Sequence, residues 1–436
     1  MTWWRLPLGV GFGLFWGGFA ASAAPPGIPA PGIPAQGISA QGISAMERPA
    51  LLPPGFLSTR GNQIISEATG QQVRIAAVNL IGVEVHGYPD LFASVPYTAT
   101  LDDMKATGFN TIRLAYSEQA LSDVAPPLPA NPTLSGKTGQ QIVDAVIDYA
   151  GTIGLKVILD HHRSSRGGSG NPGGLWNDPG YIVHGHGQTT RDWVDGWVSM
   201  AQRYAGNATV IGADLANEPF KATWGDGSAT DWIIAATIAG NAILAVNPHW
   251  LIIVEGLYHE GREFDEYAQN MTGVAKHRVQ LSVPGHVVYS PHNYPYSING
   301  YAAGTASEKA ATWTRLFGFI YQQNIAPLFV GEFGANSTPH DLAWLSAFTG
   351  YMNDPGGKPA GGQGISGAYW AWAQTSGATN DPDILNDDGK ATIAPMVKAI
   401  SPMFYYANSG ANSGANSGAN SGANSGAKSG TPVRQP

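Results

Sequence analysis

Residues 210–218 read Val-Ile-Gly-Ala-Asp-Leu-Ala-Asn-Glu, and Pro219 follows. The run is near-continuously apolar rather than alternating, which is the pattern of a strand buried on both faces in a parallel sheet. It ends on Asn217 and Glu218. A Glu leaving a buried strand is costly unless it lies in a cleft, is paired or is neutral. Residues 327–334, Pro-Leu-Phe-Val-Gly-Glu-Phe-Gly, repeat the pattern and place Glu332 in the same position.

Working outward, six further apolar runs share this character: Val73–Gly82, Asn110–Ser117, Lys156–His162, Leu251–Gly256, His286–Tyr294 and Gly364–Trp372. Amphipathic stretches fill the gaps, among them Thr98–Thr107, Gly139–Ile153, Arg191–Tyr204, Asp231–Val246, Glu308–Gln323 and His340–Met352. Buried strands alternating with helices read as βα units. Eight such strands are the number that closes a (β/α)8 TIM barrel, so an α/β chain with a single barrel is expected. A doubly wound open sheet is the rival, but no Gly-x-Gly-x-x-Gly turn follows the first strand.

Polar residues mark the strand ends. Arg113 lies in the second run, Asp160, His161 and His162 end the third, and Asn217 and Glu218 the fourth. His292 and Tyr294 end the sixth, Glu332 the seventh, and Trp370 and Trp372 the eighth. In a barrel these ends converge on the catalytic face. Two glutamates on opposite sides of a closed barrel can face each other across its mouth. That is the requirement of glycoside hydrolysis, where one carboxyl protonates the leaving oxygen and the other stabilises or attacks the oxocarbenium carbon. The competing reading of either Glu alone is a structural ion pair.

The chain has 436 residues, with 57 Gly, 31 Pro, 13 Trp, no Cys and 12% charged side chains. With 23 Lys and Arg against 31 Asp and Glu, the net charge of -8 argues against nucleic-acid binding, which needs a cationic footprint. Absence of Cys excludes disulfide scaffolds, iron–sulfur sites and thiol nucleophiles. Residues 1–23 carry Arg5, an apolar run Leu6–Ala20 and the small-residue site Ala21-Ser22-Ala23, the marks of a signal peptide cleaved near Ala23. An uncleaved anchor is the competing reading. Residues 24–50 hold a five-residue Gly-Ile-Pro/Ser-Ala-Pro/Gln repeat and read as a semi-flexible linker. Residues 407–436 repeat Ala-Asn-Ser-Gly and lack the apolar side chains to offset ordering entropy, so a disordered tail is expected. Setting aside Arg5, Glu47, Arg48, Lys428 and Arg434, residues 51–406 carry 19 basic and 30 acidic side chains, a net charge of -11. This suits a secreted globular domain, extracellular or periplasmic, with no stable membrane insertion.

The stretches Asn-Thr-Ile-Arg-Leu-Ala-Tyr (110–116), Leu-Asp-His-His-Arg (159–163), Ala-Asn-Glu-Pro-Phe (216–220), Ser-Pro-His-Asn-Tyr (290–294), Phe-Val-Gly-Glu-Phe-Gly (329–334) and Tyr-Trp-Ala-Trp (369–372) resemble, in order, the motifs of glycoside hydrolase family 5. The likeness is to its bacterial endo-β-1,4-glucanases and runs from about Gly61 to Pro402. It implies a retaining enzyme without metal or cofactor, with Glu218 as acid/base and Glu332 as nucleophile. Arg113 and Tyr294 would contact Glu332, Arg113 keeping it ionised, and His292 would contact Glu218. Asn217 matches the family's ligand to the sugar 2-hydroxyl, His162 a hydroxyl-binding His, and Trp370 the aromatic platform beneath the sugar. Taken singly, Arg113 also reads as a core ion-pair member, Tyr294 as a packed aromatic and His292 as a satisfied histidine. His161 is expected to point away, because neighbours on a strand face opposite sides.

Trp176 and Trp224 sit in Gly-rich loops after the third and fourth strands and are candidates for outer sugar subsites, though Trp176 equally suits a loop anchor. His184-Gly185-His186 lacks a third ligand at suitable spacing and reads as loop. Family members commonly carry disulfides, and their absence here puts the loops around 84–90 and 221–228 in question. The expected substrate is a β-glucan polysaccharide, acted on by a monomer. Two rivals stand beside it: the same chemistry on mannan, xyloglucan or a β-1,3-glucan, and a non-catalytic carbohydrate-binding surface protein.

Overall fold

The computed structural model describes residues 51–258, 267–299, 306–356, 363–374, 382–386 and 389–412. The expected signal peptide, the linker and residues 413–436 lie outside them. The eight strands of a parallel barrel are β1 (Ala76–Leu80), β2 (Thr111–Ser117), β3 (Lys156–Arg163), β4 (Val210–Asp214), β5 (Leu251–Glu255), β6 (Val287–Ser290 and His292–Asn293), β7 (Phe329–Phe333) and β8 (Ser366–Tyr369). Each pairs in parallel with its sequence neighbour, and β8 returns to β1 through Gly367 opposite Ala76. Pro291, which has no N–H to give a ladder, divides β6 into a piece paired with β5 and a piece paired with β7. The barrel reading of the sequence therefore holds.

Helices α1 (Tyr97–Thr107), α2 (Gly139–Ile153), α3 (Thr190–Arg203) and α4 (Trp232–Val246) follow the first four strands. Then α5 (Ala306–Trp313) follows β6, α6 (Pro339–Asn353) follows β7 and α7 (Ala394–Asn412) follows β8. Local chemistry starts these helices. Thr138 with Gln141, and Thr189 with Asp192, form reciprocal caps that satisfy otherwise orphaned N–H groups of α2 and α3. Thr338 caps α6, with Pro339 at its first position. Among the described residues, β5 is followed by a 3-10 turn at Thr272–Ala275 instead of a long helix. Helix α7 runs past Tyr406 into the first residues of the Ala-Asn-Ser-Gly repeat.

Two apolar cores hold the barrel. The larger packs the outward strand faces against the helices. The smaller fills the barrel with Ile75, Ala77, Ile158, Ile211, Leu251, Ile253, Val288, Phe329 and Ala368. An antiparallel sheet of Leu57–Arg60, Gln63–Ser66 and Gln72–Val73 adds Leu57, Ile64 and Val73 to the same core. With the barrel interior packed, chemistry is confined to the carboxyl ends of the strands.

Three register shifts shape that end. Val157 pairs Val210 while Ile158 pairs Gly212, so β4 carries one extra residue at Ile211. Tyr116 pairs His161 and Ser117 pairs Arg163, so His162 is extra in β3. Val330 pairs Gly367 and Phe333 pairs Tyr369, which places an extra residue in β7 beside Glu332. A bulge re-aims the side chains beyond it. Without the one in β4, strict alternation from the inward Ile211 would turn Asp214 outward.

Candidate active site

Arg113, on β2, organises the centre. It is fully buried, and all three guanidinium nitrogens are engaged. Nε donates to Asp214 Oδ2 at 2.9 Å. One terminal nitrogen donates to Asn79 Oδ1 at 2.9 Å and Glu332 Oε1 at 3.0 Å, and the other to Asn217 Oδ1 and Glu255 Oε1, each at 3.0 Å. Asp160 Oδ1 lies 3.2 Å from that second nitrogen. A planar fork of fixed donors can hold so many acceptors in one arrangement, which a single ammonium cannot. Burial opposes the charge, but Asp160, Asp214, Glu332 and Glu255 together raise the Arg113 pKa well above its ordinary value.

Glu332 projects from β7, where Tyr294 Oη donates to its Oε2 at 2.8 Å. Gly331 beside it is required by close approach: a Cβ there would come within 2.6 Å of Ser290 Oγ and 2.9 Å of His292 Nε2. Glu218 stands across the mouth after β4, its side chain 20% exposed. Its backbone is left-handed, with φ +48°, an uncommon state for a residue with a Cβ. His292 Nδ1 lies 3.0 Å from Glu218 Oε1, and 3.6 Å from Glu332 Oε2. One oxygen each of Glu218 and Glu332 and one His292 nitrogen all lie within 4.8 Å of one another.

The electrostatics divide the groups. Burial pushes the Glu218 carboxyl up, the Glu332 and Glu255 charges add to this, and His292 partly offsets it. His292 itself loses by burial, yet the charges of Glu255 and Glu332 and the bond to Glu218 hold it well above the usual histidine range. These charges favour the protonated ring, with Nδ1 turned to Glu218 Oε1. His162 behaves alike: burial works against its charge, but Asp160, 2.8 Å from Nδ1, with Glu332 and Glu84, pushes it up to about 9.

The remaining residues line the mouth. The Arg113 bond fixes the Asn217 amide with oxygen inward, leaving Nδ2 at 3.5 Å from His162 Nε2. The His162 ring stacks on Trp370 with centroids 5.5 Å apart and planes 20° from parallel. Trp370 is half-buried. His161 turns to the outer face, where it contacts Glu118 at 3.0 Å and packs among Tyr116, Trp193 and Trp197. Two triads of carboxylates or carboxylates with His bring possible metal-ligating atoms together among the described residues: Glu218, His292 and Glu332, and Asp160, Asp214 and Glu255. In the second, each carboxylate is turned to the Arg113 guanidinium, whose charge takes the place a cation would occupy.

One expectation needs correction. Trp176 is only 3% exposed, stacks on Trp232 at 5.6 Å and donates its indole N–H to Thr190. It anchors its loop in the α3–α4 core, because a ring buried between helices gains more from packing than from facing water. Trp224 is half-buried. It donates to the His277 carbonyl and lies against Tyr289, so its contacts are with the segment after β5 and with β6 rather than the catalytic pair. In place of a disulfide, Asp231 ties the 223–231 loop by accepting the N–H groups of Gly225, Gly227 and Ile233. Sequence reasoning assigned no role to Asn79, Asp160, Asp214 or Glu255. Asp160 stands out only as a strand end; the others sit inside apolar runs, where an amide at 79 and carboxyls at 214 and 255 are the available signal.

The chain matches known proteins over this same region. The family model described as cellulase (glycosyl hydrolase family 5) matches residues 66–376. An endoglucanase of Paenibacillus polymyxa is 37% identical over 356 residues, covering 77% of this chain and 83% of that protein. The major extracellular endoglucanase of Xanthomonas campestris pv. campestris is 31% identical, covering 76% of this chain and 68% of that protein. Its solved catalytic domain superposes with a TM-score of 0.68 at 28% identity, over 80% of this chain and 99% of that one. An endocellulase of Pyrococcus horikoshii, a variant of which is solved with cellotetraose, gives a TM-score of 0.68 at 27% identity, over 81% of this chain and all of the other. With two opposed glutamates on one barrel face and a family match across that barrel, the chain belongs to glycosyl hydrolase family 5, the cellulase family, and is a glycoside hydrolase.

Proposed function

We propose that the chain is a secreted endo-β-1,4-glucanase that hydrolyses internal bonds of cellulose or related β-glucans with retention. The observation that carries the retaining reading is the short reach between Glu218 and Glu332, with oxygens inside 4.8 Å. Retaining enzymes hold their carboxyls about 5–5.5 Å apart, whereas inverting ones leave roughly 6.5–9.5 Å for a water. The endo-glucanase reading draws on the relatives named endoglucanase.

Each carboxyl has surroundings suited to one role. Glu218, whose carboxyl burial pushes up, is suited to deliver a proton to the leaving oxygen. Glu332, oriented by Arg113 and Tyr294, presents a carboxylate oxygen to the anomeric carbon. In the first step that oxygen bonds to the carbon, the glycosidic C–O bond breaks, and the Glu218 proton passes to the departing sugar. In the second, Glu218 takes a proton from water, the water oxygen bonds to the same carbon, and the ester to Glu332 breaks. Asn217 Nδ2 and the protonated His162 Nε2 offer two donors to sugar hydroxyls above the Trp370 ring. The substrate is the only partner this reading requires.

Secretion is proposed from the signal-like residues 1–23 and the relative named extracellular. No helix among the described residues is long and apolar enough to cross a membrane. The barrel is read as a monomer.

A reducing-sugar assay on carboxymethylcellulose, barley glucan, mannan and xylan, with Glu332→Ala as control, tests the activity. Absence of turnover on all four would overturn the enzyme reading, and faster turnover of mannan than of either glucan would overturn the substrate. Product anomers followed by NMR test retention. A secreted protein whose N-terminus is not near Ala24 would refute the cleavage site.

A further inference from the structure

We propose that Glu255, at the end of β5, is a positioning residue for Glu218: its carboxylate holds the acid/base by its backbone and, through His292, by its side chain. This inference rests on the assignment of Glu218 as acid/base made above.

Four contacts support it. Glu255 Oε2 accepts the Glu218 backbone N–H at 2.7 Å. That N–H belongs to a residue held at φ +48°, and a strained backbone of this kind persists only where its surroundings over-determine it. Glu255 Oε1 lies 3.3 Å from His292 Nε2, while the other nitrogen of the same ring lies 3.0 Å from Glu218 Oε1. The same Oε1 accepts from Arg113 at 3.0 Å, the group that also donates to Glu332. Finally, the Glu255 carbonyl accepts the Trp232 indole N–H at 3.0 Å, which fixes the strand end.

Glu255 is fully buried and cannot touch a sugar. Its effect must pass through Glu218 and His292. The bland alternative is that it only balances the Arg113 charge, but Asp160, Asp214 and Glu332 already face that guanidinium. What Glu255 alone adds is its grip on the Glu218 N–H. Loss of that grip frees Glu218 from its left-handed turn and misplaces the proton relative to the leaving oxygen.

The two readings separate by leaving group. From a 2,4-dinitrophenyl cellobioside the phenolate departs without a proton, whereas the leaving group of a 4-methylumbelliferyl cellobioside or a soluble glucan needs one. In Glu255→Gln, which keeps size but has one acceptor oxygen where the Glu218 N–H on one side and Arg113 with His292 on the other need two, kcat/KM should fall roughly 30- to 100-fold on the substrates that need a proton, the lower range of general acid catalysis. On the dinitrophenyl substrate it should fall less than about threefold, since little of the general-acid contribution is called on there. Glu255→Asp, which keeps the charge but withdraws it by one methylene, should show the same selectivity and serves if the Gln variant does not fold. Equal losses on both substrate classes would overturn the role of Glu255. Glu218→Ala is the reference and should show the same selectivity more strongly. If Glu218→Ala shows none, the acid/base assignment fails and this inference with it; if Glu218→Ala is selective and the Glu255 variants are not, only this inference fails.

Discussion

Replacing Arg113 by Met should destabilise the barrel in a pH-dependent way. The guanidinium lies at 2.9–3.2 Å from Asp214, Glu255, Glu332 and Asp160. Burial raises the Asp214 carboxyl well above its ordinary value and the Glu255 charge adds to this, while Arg113 works in the opposite direction. Asp160 is the opposite case: burial works against its charge, but Arg113 and then His162 outweigh burial and hold it low. Met removes the group that compensates it. Breaking a buried ion pair by deleting one partner costs about 3–5 kcal/mol, a large part of the roughly 5–15 kcal/mol that holds a domain folded. The parent's depressed Asp160 contributes stability above the ordinary carboxylate pKa that is lost as pH falls through its folded value. In the variant, carboxylates without their cation hold protons to higher pH in the folded chain than in the unfolded one. Their stability contribution is then fully present in acid and declines as pH rises. The gap between the proteins should be about 4 kcal/mol at pH 8 and shrink towards pH 5. Urea titrations at both values measure it. A gap below about 1 kcal/mol at pH 8, the scale of an exposed pair, or one independent of pH, would refute the reasoning.

Three further outcomes follow from named contacts. Tyr294→Phe removes one donor from Glu332, and kcat should drop roughly tenfold or more, the scale of a hydrogen bond to a charged group; an unchanged kcat in steady-state kinetics would exclude that contact from catalysis. Glu84, 3% exposed, is raised by burial to about 7, so its charge costs stability as pH climbs from 4.5 to 7. Glu84→Gln, whose amide oxygen can still accept the Gly82 N–H, should gain up to about 3 kcal/mol at pH 8 and nothing at pH 4; equal melting behaviour of the two proteins at pH 8 would disprove it. Trp370→Ala removes the ring stacked on His162 and should raise KM for short cello-oligosaccharides more than it lowers kcat; calorimetry showing unchanged oligosaccharide affinity would count against a platform role.

Much of this was legible in the chain itself. Eight doubly buried runs, six of them marked by polar or aromatic residues in or at the end of the run, point to a closed parallel barrel, because such strands tolerate water on neither face. Glu218 and Glu332 were recognisable for the same reason, since a carboxyl leaving a buried strand needs an explanation. Arg113, Tyr294 and His292 lie where the motifs imply, and His161 turns outward as alternation requires. Trp176 misled because a Trp in a Gly-rich loop carries no mark of which way it folds; contacts with Trp193 and Trp232, distant in sequence, turned it inward. The bulges at Ile211, His162 and beside Glu332 were equally invisible, because register is a property of two strands and not of one. They aim Asp214, His162 and Glu332 at one point. The composition and period of the chain thus determined that a barrel with two glutamates at its mouth would form. Tertiary pairing alone decided that Asp160, Asp214, Glu255 and Glu332 would share a single guanidinium, since that depends on the register between strands far apart in sequence.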